Sequence, residues 1–284
     1  MKRLILFTLA LAAITSCKQS KKGPELPKPE IKLYTFSGGT VVANKLELFS
    51  QDNTYTGQSK EFADPFYVIS HPKGNLMWDA GLPEWLVGLP EAFTPPDLAF
   101  TISRKDSVIN QLASIGMKLE DIDFISLSHT HFDHTGHANV FAGSTWIVQE
   151  AEYEYVASGE AKKRRTEYYN AIKSLTNIKK INGDYDVFGD GSVVIKFMPG
   201  HTPGHQVLYL DMPEHGPLLL SGDLYHFYEN REYQRVPSFN SDVEQTKESM
   251  EAFEDFAEEE EAKVYLQHAK RDFEKLPKAP KYLK

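Results

Sequence analysis

Short apolar runs separated by turn residues dominate the chain from residue 31 onward. Runs at residues 31–36 and 41–49 are predicted to be two strands joined at Gly38-Gly39. Runs at 65–70 and 75–79 predict a second hairpin across His71-Pro72-Lys73-Gly74. Further strands are predicted at residues 123–127, 145–149, 193–198, 206–211, 218–220 and 263–267.

Helical patterns alternate with these strands. Ser103 is predicted to begin a helix that ends at Gly116, with a buried stripe of Val108, Ile109, Leu112 and Ile115. A second helix is predicted at 151–158, the start of the basic stretch 162–180 is predicted to be helical, and Ser241 is predicted to open a long helix through a capping box with Glu244. Residues 82–100 are rich in Pro, Trp, Phe and Leu without periodicity, so we expect a loop beside a pocket.

Strands interleaved with helices, without an internal repeat, indicate an α/β fold. We expect two sheets with helices packed outside them, in one domain at residues 31–284. With 41% hydrophobic residues the chain can bury a sizeable core.

The N-terminus has a different pattern. Lys2 and Arg3 precede an apolar stretch at residues 4–14, which is too short to span a bilayer and is typical of a secretory signal. The segment Ile14-Thr15-Ser16-Cys17 resembles the lipobox of bacterial lipoproteins. The resemblance implies a signal peptide at residues 1–16, a lipid on Cys17, and a location in the bacterial cell envelope on the periplasmic or outer-membrane side.

Cys17 is the only cysteine, so no thiolate from elsewhere in the chain can bind a metal. Residues 17–30, rich in Lys and Pro, are predicted to be an extended tether. The alternative interpretation of Cys17 is an ordinary free thiol.

Charge argues against nucleic-acid partners. The formal net charge is −9, and removal of residues 1–16 would take away the two positive charges of Lys2 and Arg3 and leave −11. Nucleic-acid binding depends on neutralisation of phosphates by Lys and Arg, which this balance does not favour.

The chemistry of the chain is concentrated directly after the predicted strand 123–127. The segment His129-Thr130-His131-Phe132-Asp133-His134 offers three imidazoles and a carboxylate. These are the groups that bind zinc where no thiolate is present. A polar turn that happens to be rich in histidine is the alternative interpretation.

Three further candidates also follow predicted strands. His201 lies in the tight Gly- and Pro-rich loop 199–205, Asp223 ends Ser221-Gly222-Asp223, and His268 follows Gln267. Because strand ends meet at the edges of sheets, a single site could be assembled from these distant parts of the chain.

The combination of HxHxDH, GHTPGH, SGD and a final histidine resembles the metallo-β-lactamase fold superfamily over residues 31–284. The resemblance implies an αββα sandwich of two mixed sheets and two Zn²⁺ ions. By analogy, one ion would be held by His129, His131 and His201, and the other by Asp133, His134 and His268, with Asp223 bridging them.

Other polar residues near these motifs are expected to support the site without binding metal. Asp79 could orient a metal-binding histidine. His137 and His205 are expected to have supporting or structural roles, and His71 to be a turn residue.

Four sequence segments most resemble those of the N-acyl homoserine lactonases, which act in quorum quenching: HTHFDHTGH, GHTPGHQ, SGDLYHF and HPKGNLMWDAG. That resemblance implies opening of a lactone ring by a hydroxide that bridges the metals, with Asp133 carrying a proton to the leaving alkoxide. The class of the superfamily whose metal site includes a cysteine is excluded, because Cys17 is far from the other candidate ligands in the sequence. The 61 residues after Asp223 leave no room for the helical substrate domain of glyoxalase II.

One position departs from that family. Some members carry a tyrosine three residues after the bridging aspartate, where this chain has His226 beside Tyr225. Either side chain could contact the substrate carbonyl, or both could simply pack beneath the loop.

An acyl chain would need an apolar groove, for which there are several aromatic candidates that could equally belong to the core. They are Trp85, Phe93, Phe100, Phe227, Tyr233 and Phe239. Two other functions remain open: hydrolysis of another lactone, ester or phosphotriester, and a lipid-anchored binding protein without catalysis.

Overall fold

The computed structural model describes residues 28–284, which form thirteen strands and seven α-helices. The strands are β1 Lys32–Ala43, β2 Lys60–His71, β3 Gly74–Trp78, β4 Phe100–Ser103, β5 Phe124–Ser126, β6 Thr145–Gln149, β7 Ile178–Ile181, β8 Tyr185–Asp186, β9 Val193–Phe197, β10 Gln206–Met212, β11 Gly216–Leu220, β12 Lys263–Tyr265 and β13 Tyr282–Leu283. The α-helices are α1 Val108–Ala113, α2 Glu150–Ala157, α3 Ala161–Arg164, α4 Thr166–Ile172, α5 Tyr228–Glu232, α6 Val243–Glu259 and α7 Lys270–Lys275.

The strands form two mixed sheets. One is an 8-stranded sheet in the order β13-β1-β2-β3-β5-β6-β7, with β4 paired to β1. The other is a 5-stranded sheet in the order β12-β11-β10-β9-β8. The predicted pair of sheets is therefore confirmed.

A shared core lies between the sheets. Leu33, Ile69 and Trp78 of the larger sheet pack against Ile195 and Leu208 of the smaller one, and all five are fully buried. Such alternating burial of one strand face is the usual basis of sheet packing.

Helices cover the two outer faces. Met77 and Trp146 of the larger sheet pack with Leu112 of α1 and Val156 of α2. On the smaller sheet, Tyr209 and Leu219 pack with Phe253 of α6. The layers are thus helix, sheet, sheet and helix, as the superfamily resemblance implied.

The first predicted hairpin is wrong. Residues 32–43 form one continuous strand, in which a register shift between Ser37 and Gly39 accommodates the glycines as a bulge. Gly39 has a φ of 147°, which favours glycine. Leu46–Phe49, predicted as strand, is a 3₁₀ helix.

The start of the first predicted helix is also wrong. Ser103 ends β4, and α1 begins only at Val108, capped by the Ser107 hydroxyl that accepts from the Asn110 N–H. Ile109, predicted to be buried, is 47% exposed because so short a helix buries only one narrow face. At α6 the cap is Asp242, one residue after the predicted Ser241.

Parallel pairing determines where the candidate residues meet. β3, β5, β6 and β7 are parallel neighbours, as are β11 and β12. Parallel strands end at the same edge of a sheet, so the loops that follow β3, β5, β11 and β12 lie on one side of the molecule.

The predicted signal peptide, Cys17 and the tether up to residue 27 lie outside the described residues. Within residues 28–284, no helix combines the length and the apolar character needed to cross a membrane.

Candidate metal centre

All seven candidate ligands converge at the common edge of the two sheets. The loops after β5, β9, β11 and β12 supply them, and each is buried or half-buried. They form two groups, His129, His131, His201 and Asp223 in one and Asp133, His134 and His268 in the other; within each group the candidate ligand atoms lie within 4.8 Å of one another.

The first group contains three imidazole nitrogens in close contact. The Nε2 atom of His129 lies 2.8 Å from Nδ1 of His131, and Nε2 of His201 lies 3.1 Å and 3.0 Å from these two atoms. Three nitrogens that face a common point form the donor set of a tetrahedral zinc site with one position left for another ligand.

The second group contains His134 and His268. Their Nε2 atoms lie 3.8 Å and 3.9 Å from the two carboxylate oxygens of Asp133. Asp133 also lines the adjoining cavity.

Asp223 lies between the two groups. Its Oδ2 atom is 3.7 Å from His129 Nε2 and 3.4 Å from His201 Nε2, whereas its Oδ1 atom is 3.2 Å from His134 Nε2 and 2.9 Å from His268 Nε2. Each oxygen therefore faces one group, which is the arrangement that a bridging carboxylate requires.

Hydrogen bonds fix the orientation of three of the imidazoles. Nδ1 of His201 lies 2.9 Å from Asn240 Oδ1, and Nδ1 of His268 lies 2.8 Å from the Ala63 carbonyl. Nδ1 of His134 lies 3.0 Å from Asp79 Oδ2, as expected for the orienting role predicted for Asp79. Because these partners accept protons, each ring keeps a proton on Nδ1, which leaves Nε2 facing the site as the atom that can bind a metal.

The residues fit a metal. His134 Nε2, His268 Nε2 and Asp223 Oδ1 are buried and have no hydrogen-bond partner among the described residues. Buried polar atoms need a partner, and a divalent cation that replaces any proton on Nε2 would supply one to all three atoms. The cluster is thus able to bind metal.

The pKa directions differ between the two groups. Burial, together with the neighbouring imidazoles, holds the pKa of His129 well below its usual range and lowers that of His131 to about 4. Burial also opposes the charged form of His268, but the Asp223 carboxylate outweighs it and raises the pKa to about 9. A protonated His268 therefore balances Asp223 in the metal-free protein.

The structure places His226 and Tyr225 differently. His226 lines the cavity, and its Nε2 atom lies 3.1 Å from Asp223 Oδ2. Tyr225 is 0% exposed, stacks edge-on against Phe253, and directs its hydroxyl toward the Met250 carbonyl at 3.5 Å. Of the two residues between which the sequence could not decide, only His226 reaches the cavity.

Glu152, on α2, connects two ligand loops and was missed by the sequence reasoning. Its Oε1 atom accepts from the Thr130 N–H at 2.8 Å and from the Thr130 hydroxyl at 2.6 Å, and its Oε2 atom accepts from the Gly204 N–H at 3.0 Å. Thr130 lies between His129 and His131, so Glu152 joins the HxHxDH loop to the GHTPGH loop. Burial raises the pKa of Glu152, and these hydrogen bonds oppose that rise.

The other polar candidates lie around the site without entering it. His205 donates from Nδ1 to the Met198 carbonyl at 2.8 Å and accepts from the Asp223 N–H at Nε2, at 2.9 Å, so it positions the backbone of Asp223. His137 faces Glu84 at 3.2 Å. His71 accepts from the Lys73 N–H in the turn between β2 and β3.

Two cavities adjoin the centre. One, of about 370 Å³, is lined by four of the candidate ligands, His131, Asp133, Asp223 and His268, and by Phe49, Phe62, Phe100 and Phe239. The other, of about 830 Å³, lies under the 82–100 loop and is lined by Trp85 and Phe93 as well as Phe100.

Two aromatic residues predicted for the groove lie elsewhere. Phe227 is 2% exposed and packs in the core against Phe62, and Tyr233 is 57% exposed and lines neither cavity.

The family model of the metallo-β-lactamase superfamily matches residues 64–268. The chain therefore belongs to the metallo-β-lactamase superfamily, and its fold confirms the predicted αββα sandwich. Its relatives within that superfamily include N-acyl homoserine lactonases. The lactonase AttM of Rhizobium johnstonii is 30% identical and covers 89% of this chain and 98% of its own length, and a lactonase of a Bacillus species is 31% identical over 84% and 92%.

Solved structures agree with these relatives. A quorum-quenching N-acyl homoserine lactone hydrolase is 26% identical, with a TM-score of 0.74 over 89% of this chain and 98% of its own. A structure of such a hydrolase with the product N-hexanoyl-L-homoserine bound at its catalytic metal centre has a TM-score of 0.73 at 25% identity, over the same shares of the two chains. The prediction that the chain is a metal-dependent hydrolase is thereby confirmed.

Proposed function

We propose that this chain is a two-zinc hydrolase that opens the lactone ring of N-acyl homoserine lactones. The observation that carries the proposal is the division of seven candidate ligands into two clusters beside a cavity, with one oxygen of Asp223 facing each cluster. The names of the relatives support the choice of substrate.

Each ion would have its own set of donor residues. His129, His131 and His201 would hold one ion, and Asp133, His134 and His268 the other, with Asp223 contributing one oxygen to each. Imidazole nitrogen and carboxylate oxygen suit zinc. When bound, such a pair of ions polarises the lactone carbonyl and brings the pKa of a shared water toward neutrality.

Two side chains of the cavity would handle protons and orient the substrate. Asp133 faces the cavity and makes no hydrogen bond among the described residues, so its carboxylate is free to take a proton and return it to the leaving alkoxide oxygen. His226 would donate a hydrogen bond to the substrate carbonyl in place of the tyrosine of other members. The ring of His226 lines the cavity and its Nε2 atom lies 3.1 Å from Asp223 Oδ2, which supports a role for this ring beside the substrate.

The test of this function is a substrate panel. Purified, zinc-loaded protein should open N-acyl homoserine lactones with a higher kcat/KM than simple esters, a β-lactam or a phosphotriester. Faster turnover of an ester or phosphotriester than of any lactone would assign the site to that substrate instead. A protein with a full complement of metal and no hydrolysis of any of them would favour a binding role.

We also infer that the hydrolase domain, residues 31–284, is secreted and anchored through a lipid on Cys17. The support is the charge pattern and lipobox-like segment of residues 1–17. Cys17→Ser should release the protein from the membrane fraction. Retention of the variant in that fraction would contradict the anchor.

A further inference from the structure

The two cavities beside the metal centre share part of their walls. Four residues line both: Asp97, Phe100, Phe132 and Tyr168. A substrate that occupied both cavities would therefore pass between these four side chains.

The chemistry changes from one cavity to the other. The first cavity contains the candidate ligands Asp133, Asp223 and His268 beside several phenylalanines, whereas the second contains no candidate metal ligand among the described residues that line it and has the aromatic surfaces of Trp85 and Phe93. Trp85 and Phe93 are in edge-to-face contact, with ring centroids 5.0 Å apart. A polar, reactive group fits the first cavity, and an alkyl chain fits the second.

Tyr168 offers a hydrogen-bond donor between the two cavities. It lies on α4, and its ring centroid is 5.6 Å from that of His131. Its hydroxyl makes no hydrogen bond to any residue between 28 and 284, and burial raises its pKa, so the phenol keeps its proton.

Asp97 offers an acceptor at the same place. Lys45 donates to the Asp97 carbonyl at 2.8 Å, and the Ala99 N–H donates to Oδ1 at 3.1 Å, so the loop around Asp97 is held to the end of β1. The Oδ2 atom has no hydrogen-bond partner within the described part of the chain. Phe100 and Phe132, with ring centroids 6.1 Å apart, provide the apolar remainder of the wall.

The geometry points to an amide-binding junction, in which Asp97 accepts from the N–H and Tyr168 donates to the C=O of the amide that joins the lactone ring to its acyl chain. The inference rests on the proposed lactone hydrolysis. An amide has one donor and one acceptor, and it lies between a polar ring and an alkyl chain, which is the order of the two cavities. Asp97 and Tyr168 would thus select lactones that carry an acyl-amide over lactones that carry only an alkyl chain.

The experiment compares two lactones of matched length. One is N-octanoyl homoserine lactone, and the other is α-nonyl-γ-butyrolactone, in which alkyl carbons replace the amide. Zinc-loaded Tyr168→Phe loses the donor, and Asp97→Asn keeps an oxygen for the Ala99 N–H but presents a second donor to the substrate N–H. We expect each change to lower the ratio of kcat/KM for the amide lactone to that for the alkyl lactone by roughly 3- to 10-fold, the value of one hydrogen bond, mainly through KM.

Matched controls and a binding measurement complete the design. Tyr169→Phe changes the next residue on α4, which lines neither cavity, and Asp52→Asn changes a carboxylate that likewise caps the N–H two residues on; both should leave the ratio unchanged. Binding of N-octanoyl homoserine lactone to the metal-stripped protein, measured by calorimetry, should weaken in the two junction variants by a similar factor.

The outcomes distinguish failure of the amide-binding junction from failure of the proposed lactone hydrolysis. An unchanged ratio in both junction variants, or an equal loss for both lactones, would overturn the amide junction while leaving lactone hydrolysis in place. Failure of the wild-type protein to open either lactone would instead overturn the proposed function.

Discussion

Replacement of Glu152 should weaken both the fold and the metal centre. This carboxylate accepts from the backbone N–H groups of Thr130 and Gly204 and from the Thr130 hydroxyl, and it is 2% exposed. Glu152→Ala would leave two buried N–H groups unpaired, at a cost of about 1–3 kcal/mol each, or about 2–6 kcal/mol in total. Since domains of this kind are stable by about 5–15 kcal/mol, the loss is a large fraction of the whole.

Glu152→Gln is the sharper variant. The single side-chain oxygen of glutamine can accept from only one of the two loops, and its NH₂ group would face an N–H of the other. We therefore expect the free energy of unfolding to fall by about 1–3 kcal/mol. Urea unfolding of the metal-free protein measures this loss as a lower midpoint. Zinc affinity should also fall by about 10- to 100-fold, because the loops that carry His129, His131 and His201 are no longer held together.

The matched control is Glu154→Gln, on the same helix but with an exposed side chain paired to Lys180 at 3.0 Å. An exposed pair of this kind contributes about 0–1 kcal/mol, so the control should unfold and bind zinc almost as the wild type does. If the Glu152→Gln variant unfolded at the same urea midpoint as the wild type and bound zinc with the same affinity, the proposed connection between the two loops would be refuted.

Three further predictions concern individual histidines. His226→Ala should lower kcat at unchanged zinc content, measured by steady-state kinetics beside metal analysis; unchanged turnover would remove His226 from the mechanism. Zinc binding at pH 8 should release a proton from His268, because its metal-free pKa of about 9 lies above that pH; calorimetry in buffers of different ionisation enthalpy measures the release, and a buffer-independent enthalpy would contradict it. Burial lowers the pKa of His205 to about 4, below its unfolded value of about 6.5, so the neutral ring contributes stability above pH 6.5 that is lost as the pH falls toward 4. Across that window the stability advantage of the metal-free wild type over His205→Gln should shrink by about 3 kcal/mol, and a constant difference in unfolding free energy would show that His205 does not titrate there.

The ligands were predictable from the sequence because each lies in a short motif at the end of an apolar strand. His129, His201, Asp223 and His268 are far apart in the chain, yet the strand ends that precede them made a common site foreseeable. The same local logic explains the success of the later strand and helix assignments.

The connections between those ligands were not predictable. Glu152 is one of several acidic residues on α2, and no local pattern distinguishes it from the exposed Glu154. The continuous strand β1 was missed because a Gly-Gly pair predicts a turn, whereas here it permits a bulge where Gly38 approaches Gly81. Such features depend on contacts between distant segments rather than on sequence neighbours.

The proposed two-zinc hydrolysis is tested by titration of the metal-stripped protein with Zn²⁺, with bound metal counted and lactone opening followed in the same samples. We expect ring opening to rise with bound zinc and to reach its maximum at about two ions per chain, because Asp223 faces both clusters. Maximal lactone opening with one ion or with none bound would contradict it.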